Sequence, residues 1–136
     1  MAVMLVFTAG RVLMGVILVV EDDVFIREFA KLVIEDLGHN TLSASEIGKA
    51  LLLLRSHQHI DALFTDIRLK TDVLGGYEIA RQAIKLRPKL RVLYTTGNSI
   101  TDNMSALFVK GARFLQKPYT EYQLQTAIEE LLPIIL

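Results

Sequence analysis

From residue 16 onward, short β-rich apolar runs alternate with segments of helical period, and this rhythm restricts the fold more than any other feature of the chain. Such alternation is the form taken by repeated βα units around a parallel sheet. Residues 16–20, 40–44, 62–65, 92–95 and 113–116 are the predicted strands. The first is apolar throughout, as when helices cover both faces of a parallel strand. The second is more polar and suits an edge.

The helices carry their own signatures. Ile26, Phe29, Ala30, Val33, Ile34 and Leu37 form one apolar stripe, with Gly38 where a C-terminal cap belongs. Ile47, Ala50, Leu51 and Leu54 repeat the pattern behind Ser45 as an N-cap. The third helix is expected over residues 77–86 with Ile79, Ala80, Ala83 and Ile84 inward, ended by Arg87-Pro88, and Gly75-Gly76 before it is read as a turn. Met104, Leu107 and Phe108 suggest a short fourth helix. Thr120 and Gln123 form a capping-box pattern ahead of a fifth, which buries Leu124, Ala127, Ile128 and Leu131 and stops at Pro133. The reading is (βα)5 in one domain over residues 16–136.

Composition narrows the function. With no cysteine, the fold cannot depend on disulfides or a thiolate metal site, which suits a reducing cytoplasm. Fifteen basic against fifteen acidic residues, with no basic run, argue against direct nucleic-acid binding. Residues 1–15 are apolar apart from Thr8 and Arg11 and run into the first strand. Gly10, Arg11 and Gly15 interrupt a membrane span, and no basic n-region marks a signal peptide. This stretch is therefore read as an N-terminal extension of a soluble protein: either an extra translated segment ahead of Met14, or an apolar arm covering a sheet edge or a partner.

In an open parallel sheet, ligands bind outside the carboxyl ends of the strands. The first strand here ends in Glu21-Asp22-Asp23, the third in Asp66, the fourth in Thr95-Thr96-Gly97 and the fifth in Lys117-Pro118. Crowded carboxylates raise one another's pKa unless a cation sits among them. Oxygen-only ligands favour a hard cation, and few carboxylates with room for water and phosphate oxygens suit Mg²⁺. A lysine and a hydroxyl beside them would hold an anion such as a phosphoryl group. Asp23 is read as the N-cap of the first helix. His57 and His59 are read as surface-loop residues, and His39 beside Gly38 as a turn residue without a role.

The ordered set Glu21-Asp22-Asp23, Asp66, Thr96-Gly97 and Lys117-Pro118 resembles the receiver domains of two-component response regulators over residues 16–132. The resemblance implies a doubly wound, flavodoxin-like (CheY-like) α/β sandwich with a five-stranded parallel sheet in the order 2-1-3-4-5. It also implies Asp66 as phosphoacceptor, a carboxylate nucleophile forming an acyl phosphate. Asp22, Asp66 and the backbone carbonyl of Arg68 would bind Mg²⁺, with Glu21 acting through a metal-bound water. Thr96 would donate its hydroxyl to the phosphoryl group, Lys117 would pair with it, and Phe114 would be the aromatic switch residue whose rotamer follows Thr96. The Lys117-Pro118 peptide would be cis. Strand alternation exposes only one of Thr95 and Thr96 to the site, and the family register favours Thr96.

The implied function is that of a phosphorylation switch rather than an enzyme. Asp66 would take its phosphoryl group from a sensor histidine kinase or a histidine phosphotransfer protein. The face built by helix four, strand five and helix five, over residues 102–132, would then bind a downstream protein or a second copy of the chain. Arg68 and Asn98 occupy the positions that in the family tune phosphoryl loss. With the chain ending at Leu136, no output domain is expected. The alternative class is a receiver-like interaction module independent of phosphorylation, against which the complete acid, threonine and lysine set argues. A flavin binder on this topology would want a phosphate loop where Glu21-Asp22-Asp23 repels phosphate, and an aspartyl-phosphate phosphatase would want D-x-D after the first strand. One departure stands out: Lys70 replaces the family's usual proline, and Gly76 lies ten residues past Asp66, making the loop over residues 70–75 two residues longer.

Overall fold

The structure is a computed structural model, described here over residues 11–12, 14–132 and 134–135. Five parallel strands, β1 (Val16–Val20), β2 (Asn40–Ala44), β3 (Ala62–Asp66), β4 (Arg91–Thr96) and β5 (Arg113–Gln116), lie in the order β2-β1-β3-β4-β5. Helices α1 (Val24–Asp36) and α5 (Glu121–Leu131) cover one face. Helices α2 (Ile47–Arg55) and α3 (Gly75–Leu86) cover the other, followed by the single turn α4 (Asp102–Ser105). This is the doubly wound α/β sandwich expected.

Strand alternation explains the two cores. Ile17, Val19, Ala62, Phe64 and Leu93 pack toward Ala30, Val33, Ile34, Leu124 and Ile128, whereas Leu18, Val20, Leu63, Val92 and Tyr94 pack toward Ala50, Leu54, Ile79, Ala80 and Ala83. Each fully buried Leu or Ile contributes roughly 1.5–3 kcal/mol over its exposed state, so the central strands are the best-secured part of the molecule. The chain leaves β1 toward β2 and returns to β3 on the other side, so the topological switch falls between β1 and β3, where a crevice opens at the strand ends.

Local chemistry sets the helix ends. Asp23 Oδ1 accepts from the backbone amides of Phe25 (2.9 Å) and Ile26 (3.1 Å), the N-cap read from sequence. Gly38 has φ +100°, as a C-terminal cap requires. Thr120 and Gln123 make the reciprocal capping box at 3.1 and 2.8 Å.

Four readings need correction. Helix α2 begins one residue later than expected, with Glu46 at the N-cap position and no side-chain cap, so Ser45 is not its cap. Gly75 and Gly76 are the first residues of α3 rather than a turn: Gly75 N–H donates to Asp72 O (3.1 Å) and Gly76 N–H to Ile67 O (2.9 Å), pressing the helix start onto the end of β3. Helix α4 is one turn, capped by Thr101 Oγ1 on Met104 N–H (3.2 Å), and Leu107 and Phe108 follow it instead of lying on it. His39 is buried, and its Nδ1 accepts from Gly15 N–H at 2.9 Å. That bond, with Asp61 Oδ2 accepting from Val16 N–H at 2.8 Å, fixes the entry into β1.

Of the N-terminal extension, residues 1–10 and 13 lie outside the described residues. Arg11–Val12 pair antiparallel with Ile134–Ile135 in a two-residue ladder. His59 is exposed and pairs with Asp61 at 2.8 Å, and His57 is exposed, as surface-loop residues should be. No helix among the described residues is long and apolar enough to cross a membrane.

Candidate functional site

Glu21 and Asp22 follow β1, Asp66 ends β3, Thr96 ends β4 and Lys117 follows β5, so the parallel register brings four strand ends to one edge. Glu21, Asp22 and Asp66 each offer a carboxylate oxygen, all within 4.8 Å of one another. Lys117 Nζ bridges two of the three, 2.6 Å from Glu21 Oε1 and 3.0 Å from Asp66 Oδ2. Glu21 is held further by Asp23 N–H donating to its Oε2 (3.1 Å) and by Arg27 Nη1 donating to its carbonyl (2.8 Å). Asp22, half-buried, accepts at Oδ2 from the Lys70 backbone amide at 2.6 Å. The Lys117-Pro118 peptide is cis.

Burial decides the electrostatics. It pushes the carboxyl groups of Glu21 and Asp66 up, with Asp66 adding to the rise at Glu21 and Asp22 to the rise at Asp66, while the Lys117 ammonium opposes both. Lys117 itself is desolvated, which lowers its pKa, but the bonds and charges of Glu21 and Asp66 outweigh this and leave it raised. Burial, with the same two carboxylates, also pushes the Tyr119 phenol up, so it stays neutral.

Three carboxylates against one ammonium leave two negative charges when all are ionised. A divalent cation matches that deficit, and an oxygen-only donor set suits a hard ion. The residues therefore fit Mg²⁺.

The two adjacent threonines separate cleanly. Thr95 Oγ1 is buried with no hydrogen-bond partner, whereas Thr96 Oγ1 accepts from Asn98 N–H (3.3 Å) and lines a cleft of about 270 Å³ with Arg68, Tyr77, Asn98, Met104 and Leu107. Phe114 is half-buried, its ring 6.3 Å from that of Phe108, which lies 4.5 Å from Tyr94. Beside Lys117, an apolar groove of about 490 Å³ runs between Phe25 and Phe29 of α1 and Pro118-Tyr119.

Three contributors escaped sequence reasoning. Gly76 packs under the Asp66–Ile67 backbone: a Cβ there would overlap the Asp66 carbonyl oxygen and sit 2.6 Å from Ile67 Cα. Its distance from Asp66 along the chain hid this contact. Gln116 Nε2 lies within hydrogen-bond distance of the carbonyls of Thr96 (2.9 Å), Asn98 (3.3 Å) and Lys117 (3.1 Å), tying the β4 and β5 ends together. The Lys70 amide is the third.

The family model described as "Response regulator receiver domain" matches residues 17–129. The response regulator receiver protein CpdR of Brucella abortus is 28% identical over 117 residues, 85% of this chain and 95% of that protein. A response regulator receiver protein from Sinorhizobium medicae is similar with a TM-score of 0.78 at 28% identity, covering 87% of this chain and 94% of the other. A CheY-like receiver domain protein from Methanospirillum hungatei reaches 0.76 at 26% identity over 87% of this chain and 93% of its own.

Proposed function

This chain belongs to the response regulator receiver domain family of two-component signalling, whose members are switches rather than enzymes in the ordinary sense, and we propose from that premise that it accepts a phosphoryl group on Asp66. The observation that carries the proposal is the Lys117 ammonium held between Glu21 and Asp66 inside a cluster of three carboxylates drawn from two strand ends.

Phosphoryl transfer asks the protein for placement and charge neutralisation more than for covalent help. An Asp66 carboxylate oxygen attacks the phosphorus of a phosphohistidine on a sensor kinase or phosphotransfer protein. The O–P bond forms as the N–P bond breaks, and the histidine leaves with its electron pair. Lys117 moves its ammonium from the Asp66 carboxylate to the incoming phosphoryl oxygens, and Thr96 turns its hydroxyl from Asn98 to donate to them. Asp22, Asp66 and the Arg68 carbonyl would hold Mg²⁺, with Glu21 reaching it through water. The ion, when bound, neutralises phosphoryl charge that Lys117 alone cannot. Hydrolysis, with water attacking phosphorus and returning the Asp66 carboxylate, passes between Arg68 and Asn98. The apolar groove at Phe25 and Pro118 gives the donor protein a dry contact beside the acid cluster. Downstream partners read the α4-β5-α5 face.

Incubation with Mg²⁺ and acetyl phosphate, followed by locating the modified residue by mass spectrometry, tests the reading. Absent modification, a phosphate that resists alkali and hydroxylamine, or modification elsewhere with Asp66 unmodified, overturns it.

A further inference from the structure

Resting on the Mg²⁺ reading of the acid cluster, we infer that the backbone amide of Lys70 is a positioning group for Asp22, and through Asp22 for the divalent cation. The lengthened loop after β3 exists in a defined form. Leu69 and Asp72 exchange both backbone hydrogen bonds, each at 3.0 Å, and so close a two-residue reverse turn on Lys70 and Thr71. Both ends of that turn are anchored. Leu69 is 2% exposed in the core, while Asp72 Oδ1 accepts from Leu74 N–H at 2.9 Å and Asp72 O from Gly75 N–H at 3.1 Å, locking the turn to the start of α3. The direction of the Lys70 N–H is thus set by the turn, and it meets Asp22 Oδ2 at 2.6 Å across 48 residues of sequence.

Asp22 needs such a hold. It is the most exposed of the three carboxylates, and Glu21 and Asp66 repel it. A charge-assisted amide bond keeps it turned inward. The three carboxylates converge within 4.8 Å with this bond made, so the amide occupies one lone pair and leaves others toward the cation. Backbone and side-chain partners that orient a metal ligand tune affinity for the metal. The chemistry belongs to the amide and not to the lysine side chain, which is exposed. Proline, usual at this place in the loops this chain resembles, has no N–H to give.

The test is a Mg²⁺ titration of the whole chain, read by NMR shifts and by thermal stability, on wild type, Lys70→Ala and Lys70→Pro. Lys70→Ala keeps the amide and should bind Mg²⁺ within about twofold of wild type, whereas Lys70→Pro should bind about tenfold more weakly. Equal or tighter binding by Lys70→Pro overturns the inference. If Lys70→Pro does not fold, amide exchange decides: the Lys70 N–H should exchange at least about tenfold faster in Asp22→Ala than in wild type, and an unchanged rate overturns the inference. The two readings fail differently. Absence of any Mg²⁺ response in wild type and Lys70→Ala sinks the metal reading and this inference with it, while a normal response shared by all three proteins sinks the positioning role alone.

Discussion

At the ends of β1 and β3, Glu21 and Asp66 are 4% and 7% exposed and tied by Lys117, and all five residues of β3 are buried. On the β5 side, the strand is half-exposed, α4 is a single turn with no buried residue, and the packing rests on the half-buried rings of Phe108 and Phe114. Both regions border the same crevice. The difference shows how a small sheet can combine fixed chemistry with an adjustable surface: the carboxylates sit at the ends of inner strands sealed by helices on both sides and hold Lys117 across to them, while the segment expected to respond sits at the edge, where few contacts must break.

The largest expected effects belong to the fixed side. Asp66→Asn should lower phosphate incorporation from acetyl phosphate by about a hundredfold or more, because the near-isosteric amide is no nucleophile. Phe108→Ala, on the soft side, should leave incorporation within a few-fold. Phosphate counted by intact mass checks both, and comparable losses in the two variants would erase the contrast. Stability should divide the same way. Gly76→Ala forces a methyl into the backbone of Asp66 and Ile67 and should cost about 2–3 kcal/mol in urea denaturation. Gly97→Ala, with nothing within 4 Å of the added carbon, should change stability by no more than about 0.5 kcal/mol.

The contrast also explains what could be read from the sequence. Strand-end chemistry was legible because Glu21, Asp22, Asp66, Thr96 and Lys117 follow apolar runs whose period is unambiguous, and the caps at Asp23, Gly38 and Thr120 involve residue types with one strong local preference. Gly76 was not legible, since periodicity reports where side chains pack and is blind to a place where none fits. The Lys70 amide carries no residue-type signal at all, because every residue except proline has the same N–H. His39 and Asp61 act through contacts with Gly15 and Val16 distant in the chain. The shortness of α4 reflects an apolar pattern too brief to say whether Leu107 and Phe108 continue a helix.

A smaller effect concerns pH. The folded-state pKa values of Glu21 and Asp66 are raised by burial, so over the interval between unfolded and folded values the native protein binds more protons than the unfolded chain. These two groups should therefore add to metal-free stability as pH falls from neutrality through their folded pKa values, and level off below the unfolded ones, against buried His39, whose lowered pKa makes it oppose them on mild acidification. Lys117, also raised, keeps its contribution until alkaline pH exceeds its folded pKa. A few degrees in melting temperature is the expected scale, with Asp66→Asn flattening the trend and millimolar Mg²⁺ raising wild-type stability at neutral pH. A pH trend of metal-free melting temperature that is the same in wild type and Asp66→Asn would contradict the buried like-charge conflict.

The smallest and most informative effect is in the soft region itself. If Thr96 turns toward a phosphoryl group, the cleft it shares with Tyr77, Met104 and Leu107 changes shape, and Phe114 and Phe108, whose rings lie 6.3 Å apart, are expected to shift with it. Phe108 is pinned through its neighbour, because the Tyr94 hydroxyl accepts from Val109 N–H at 3.2 Å. Phosphate then acts by its differential affinity for two arrangements of this edge, and reversing a 1:99 population takes roughly 5.5 kcal/mol. Charge-assisted bonds from Thr96 and Lys117, about 1.5–3 kcal/mol each, approach that in gross terms, but Lys117 gives up its bond to Asp66 to make its own, so a partial shift is the expected response. Beryllofluoride with Mg²⁺ should move backbone NMR resonances across residues 102–132 in wild type. Thr96→Ala should keep the shifts around Asp66 and lose those beyond Met104. Tyr94→Phe, which frees Val109 while leaving the acid cluster alone, should enlarge the response at Phe108 and Phe114. Shifts confined to the loops at Asp66 in wild type would leave the chemistry of the fixed side standing and show the edge to be as rigid as the centre.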